Sequence, residues 1–118
     1  DLPEVIRRVK SMGYLVKLDT NGSNPDMLAE ILPDIDYVAM DIKAPWSDPY
    51  KRIAGVDIDD YEIRRSMLLI RASGVKYEFR TTFDPKAMSI EELENIKSAV
   101  SAKEHYFIHD AVSVPAAA

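Results

Sequence analysis

The stretch Y-L-V-K-L-D-T-N-G-S-N-P, residues 14–25, decides how the chain folds. Tyr14 to Asp19 is a short strand-like run, and the Asn21-Gly22 pair that follows is a common hairpin turn. A hairpin needs a second strand directly after the turn. Here the next residues supply Asn24 as a helix N-cap, Pro25 at the first helical position, and Leu28, Ile31 and Leu32 on one helical face. The turn leads from strand into helix, so the following strand is expected to run parallel to the first.

The same alternation extends in both directions. Val5, Ile6, Val9 and Met12 recur at helical spacing over residues 2–12, and Gly13 supplies a helix stop. Tyr37 to Lys43 reads as a strand, followed by a Pro-containing loop through Trp46, Tyr50 and Gly55. Asp59 or Asp60 can cap a helix that carries Ile63, Met67 and Ile70 and ends before Gly74. Lys76 to Phe83 is a strand, and Ser89 with Glu92 has capping-box spacing ahead of a helix with Leu93, Ile96 and Val100. Tyr106 to His109 is a last short strand, and residues 111–118 form an irregular tail. Four strands alternating with helices predict an α/β fold with parallel strands and right-handed crossovers, in an open sheet or in a barrel arc. Such an arc would leave two sheet edges bare, and the chain opens on a helix without Met, so further strands are expected upstream.

Composition narrows the function. With 47% hydrophobic and 30% charged residues, the 118-residue chain has the make-up of one globular domain. A net charge of -5 with interspersed signs argues against nucleic acid as partner. No apolar run reaches the roughly 20 residues that span a bilayer, and a cytoplasmic address is expected. Cysteine is absent, which excludes disulfides, thiolate nucleophiles and Cys-ligated clusters within these residues.

Side chains alternate across a strand, so Ala39, Asp41 and Lys43 share one face while Val38, Met40 and Ile42 share the other. Likewise Lys76, Glu78, Arg80 and Thr82 oppose Tyr77, Phe79 and Phe83, and Lys17 and Asp19 oppose Val16 and Leu18. With the apolar faces under the helices, the other faces make a concave surface of both charge signs at the carboxyl ends of the strands. That is where parallel sheets bind large polar ligands. Structural readings stand beside this one: Asp19 capping the Asn-Gly turn, Asp41 pairing with Lys43, Arg80 pairing with Glu78. Trp46, Tyr50 and Gly55 read first as packing and turn residues, and His105 and His109 as ordinary strand residues.

Leu18-Asp19-Thr20-Asn21-Gly22, Asp36 to Lys43 with its M-D-I-K block, and Arg80-Thr81-Thr82 resemble radical S-adenosylmethionine enzymes that activate glycyl-radical enzymes. The closest look is to the activating proteins of anaerobic ribonucleotide reductase and pyruvate formate-lyase. The resemblance covers roughly residues 1–110 and implies the C-terminal portion of a partial TIM-like (β/α) barrel with helices on its outer face. Family members carry a C-x-x-x-C-x-x-C cluster loop and a Gly-Gly-Glu-type motif, and neither occurs here. The resemblance places Asp19, Asp41 and Lys43 near the methionine and ribose of S-adenosylmethionine, and Arg80 and Thr82 near its carboxylate and adenine. Some members hold a monovalent cation at positions matching Asp19, Thr20 and Asp41, and His109 sits where certain members have an adenine-contacting His. It further implies that a 4Fe-4S cluster, ligated outside this chain, reduces the sulfonium, and that the resulting 5'-deoxyadenosyl radical takes hydrogen from a glycine of the partner enzyme. The chain alone is then expected to be inactive. Two alternatives remain from the residues themselves: a Schiff-base aldolase-like barrel using Lys43, and a non-catalytic nucleotide-binding module.

Overall fold

The computed structural model describes residues 1–43 and 59–110, with backbone only for residues 59 and 60. The Pro-containing loop with Trp46, Tyr50 and Gly55, the Asp59 and Asp60 cap and the tail from 111 lie outside what is described. Helix α1 (Leu2–Ser11) starts where the Asp1 carboxylate accepts the Glu4 N–H at 2.9 Å, and it exits through Gly13 at φ +89°. Strand β1 (Lys17–Thr20) leads into α2 (Pro25–Ile31), where the Asn24 side chain accepts the Met27 N–H at 3.1 Å and Pro25 occupies the first turn. A 3-10 turn (Leu32–Asp34) precedes β2 (Tyr37–Asp41). Then come α3 (Asp59–Ser73), β3 (Lys76–Phe83), α4 (Ile90–Lys97) and β4 (Tyr106–Asp110). The capping box at the start of α4 is complete, with Ser89 and Glu92 exchanging bonds of 3.0 and 3.1 Å.

All four described strands are parallel in the order β1-β2-β3-β4, so no reversal of strand order interrupts them. Ile6 of α1, Leu28 of α2, Met67 and Ile70 of α3 and Ile96 of α4 meet Val38, Met40, Ile42 and Phe79 in one core. The helices therefore cover the sheet face that the apolar half of each strand presents. Complete burial of a side chain such as Phe79 or Ile96 contributes about 1.5–3 kcal/mol, which fixes which face turns inward.

Strand ends differ from the sequence expectation. β1 starts at Lys17 rather than Tyr14, and Leu15 is 82% exposed. β2 stops at Asp41 rather than Lys43, although the Ile42 N–H still reaches Arg80 O at 2.7 Å. Val100 falls beyond the end of α4. Apolar character alone does not extend a strand where the neighbouring ladder ends.

Candidate functional site

The sheet face opposite the described helices gathers charge at the carboxyl ends of β1, β2 and β3. Register places Asp19 opposite Ala39, and Asp41 opposite Arg80. Arg80 Nε donates to Asp41 Oδ1 at 3.0 Å, and its Nη2 lies 3.5 Å from Asp19 Oδ1, so the guanidinium spans β2 to join carboxylates from two strands. Ala39 of β2 is in register with Asp19 on one side and Glu78 on the other, and has no exposed surface. Asp41 thus pairs with Arg80 rather than Lys43, and Glu78 pairs elsewhere: the Tyr37 hydroxyl donates to its Oε1 at 2.8 Å. That bond, with burial second, pushes the Tyr37 phenol up from its ordinary pKa. Lys17 Nζ sits 5.6 Å from the centre of the same ring, so a second polar layer underlies the first. Tyr37 was missed from the sequence, although alternation places it with Ala39 and Asp41.

The other candidates are distributed unevenly. Thr82 and His109 face each other in register, both exposed, one row beyond Arg80 on the same side of the sheet. Lys43 is exposed two residues past the end of β2, and no described residue pairs with it. Thr20 lies on the opposite face from Asp19, opposite the core residue Met40, and its Oγ1 accepts the Gly22 N–H at 3.0 Å. Gly22 has φ +72°, and a Cβ built there would strike the Met40 methyl and come within 3.2 Å of Ser66 Cβ. The D-T-N-G and M-D-I-K blocks are therefore packed against each other, not merely neighbours in sequence.

Two carboxylates around one guanidinium leave a negative excess, and Lys43 is an exposed cation two residues further along the chain from Asp41. Such a rim can hold a ligand that carries cationic or hydroxyl groups together with an anion. Two clefts of about 590 and 610 Å3 open at the other end of the sheet, near Arg71, Tyr77 and Glu104, and neither includes the charged rim. Among the described residues no three His, Asp or Glu side chains are arranged to hold a metal ion.

The described residues form an α/β fold, with helices packed on one face of a parallel sheet and a charged rim at the carboxyl ends of its strands. The chain is 38% identical, over 111 residues, to a protein of Methanocaldococcus jannaschii named "Putative glycyl-radical enzyme activating enzyme". The alignment covers 89% of this chain and 46% of the relative, so the chain spans about half the relative's length. The resemblance carried by the D-T-N-G and M-D-I-K blocks thus extends over most of the chain, as similarity to a protein named for glycyl-radical enzyme activation. No family model matches the chain, and no solved structure matches it.

Proposed function

We propose that these residues form the S-adenosylmethionine-facing part of a longer radical enzyme that generates a glycyl radical on a partner enzyme such as anaerobic ribonucleotide reductase or pyruvate formate-lyase. The single observation that carries the reading is the Asp19–Arg80–Asp41 cluster at the ends of three adjacent parallel strands. Unbroken strand order with helices on one side supports an arc of a (β/α) barrel. Coverage of 46% of the relative supports reading these residues as part of a longer chain, for which a cytoplasmic address belongs to the proposal.

The residues present fit one implied cofactor and not the other. S-adenosylmethionine bears a sulfonium, an ammonium and a carboxylate, and the rim offers both signs of charge on rigid elements. Asp19 and Asp41 would hold its cationic and ribose hydroxyl side, Lys43 its carboxylate, and Thr82 and His109 would flank the far end. When bound it is the source of the 5'-deoxyadenosyl group that the activating reaction uses. Arg80 keeps both carboxylates oriented before the ligand arrives, so less ordering is left for binding. A 4Fe-4S cluster does not fit: it needs thiolates, and the sequence has none. A Schiff-base role for Lys43 calls for a desolvated or cation-flanked amine, whereas Lys43 is exposed.

The test is Lys43→Met in a cluster-loaded protein of the relative's full length, which keeps the stem and removes the charge. A charge-assisted bond contributes about 1.5–3 kcal/mol, so S-adenosylmethionine affinity should fall roughly tenfold to a hundredfold by titration calorimetry. The melting temperature should hold. Unchanged affinity with lowered melting temperature would return Lys43 to a structural role.

A further inference from the structure

Two side chains on the covered face bear on the same loops. Ser66 of α3 and Thr81 of β3 are the fully buried polar residues among those described, each with no exposed surface. A buried hydroxyl is costly unless bonded, and a helical serine usually satisfies itself on the carbonyl one turn back. Ser66 does not. Its Oγ donates at 2.7 Å to Gly22 O, 44 residues away, in the turn after β1. Thr81 Oγ1 donates at 3.0 Å to Ile42 O, just past the end of β2, and accepts from the Tyr106 hydroxyl at 2.7 Å.

Both carbonyls lie beyond the last residue of their strands, where the ladder no longer claims them. Burial makes an unpaired carbonyl expensive there. The two hydroxyls therefore bond the loops at the points where the chain leaves β1 and β2, within three residues of Asp19 and one of Asp41. β3 acts on the β2 end from both sides. Arg80 holds Asp41 on the open face, Thr81 holds Ile42 O on the covered face, and the Arg80 carbonyl takes the Ile42 N–H at 2.7 Å.

We propose that Ser66 and Thr81 are positioning residues for the rim, fixing the β1 and β2 exits so that Asp19 and Asp41 stay aligned on Arg80, without touching the ligand themselves. The clamp stands on geometry; its consequence for S-adenosylmethionine rests on the function proposed above. Ser66→Ala should speed amide hydrogen exchange at Gly22 at least tenfold while Phe79, bonded to His105 O, keeps its protection. Thr81→Val, which keeps the shape and removes the hydroxyl, should do the same at Ile42 while Leu28, bonded to Asn24 O, is unaffected. Thr81→Ser should restore Ile42 protection even where it loses stability through the missing methyl.

Exchange that rises equally at all these amides, or at none, overturns the clamp. If Thr81→Val does not fold, Ser66→Ala and Thr81→Ser still decide between a local and a global effect. In the cluster-loaded, full-length protein Ser66→Ala and Thr81→Val should weaken S-adenosylmethionine binding at least threefold, and Thr81→Ser should not. A wild-type protein that binds no S-adenosylmethionine sinks the cofactor reading and leaves the clamp to be judged by exchange alone. Binding by the wild type with unchanged affinity in both hydroxyl-deleting variants removes the clamp's role at the rim.

Discussion

Gly22 shows how much one residue can carry. Its left-handed backbone costs an alanine about 1–2 kcal/mol, and the added methyl must also displace the Met40 side chain in a packed core. Gly13 has the same backbone sign, φ +89°, with nothing within 4 Å of a built Cβ. Gly13→Ala should therefore cost about 1–2 kcal/mol and Gly22→Ala about 2–4 kcal/mol in urea unfolding. Adding Met40→Ala to Gly22→Ala should recover part of the difference in a double-mutant cycle. Equal costs at the two glycines would show that the D-T-N-G turn is not held against β2 as described.

Elements are fastened at the end of the sheet away from the rim. Arg71, near the end of α3, donates through Nε to Glu104 Oε2 at 2.7 Å and through its other arm to Oε1 at 2.8 Å, and the Tyr77 hydroxyl of β3 adds a bond of 2.7 Å. The Arg71 bonds chiefly hold the Glu104 carboxyl down at about 2, against the opposing effect of burial and with help from the Ser101 N–H. A carboxylate depressed on folding contributes stability that is complete above its unfolded pKa near 4.5 and is lost as pH falls toward 2. Discounting for the partly exposed Arg71, the loss attributable to Glu104 should be about 1–2 kcal/mol. Glu104→Gln should lower stability at pH 7 and flatten the acid limb between these values in denaturant titrations. A variant whose acid limb matches the wild type would refute the assignment. Asp36 works in the same direction at the α1 end, held down first by Lys10 at 2.9 Å and then by the Val16 N–H.

For the whole molecule the proposal separates what the chain can do from what the longer protein would do. Anaerobic reconstitution of these 118 residues with iron and sulfide should give no cluster absorbance and no 5'-deoxyadenosine, because no thiolate is present. Turnover by this chain would end the reading of it as a partial enzyme. The sequence by itself determined the parallel order, the covered and open faces and the helix caps at Asn24 and Ser89, because alternation and capping depend on residues close along the chain. It also brought Asp19, Asp41 and Arg80 to one rim. Only the tertiary structure decided their partners: Arg80 with both aspartates, Glu78 with Tyr37, Lys43 with none of the described residues. Strand register sets those pairs, and register depends on neighbours tens of residues away. The same holds for Ser66, which reads in sequence as one more polar helical residue. Its bond to Gly22 exists because α3 packs against α2, which brings Ser66 to the turn between β1 and α2, a placement that local sequence does not specify.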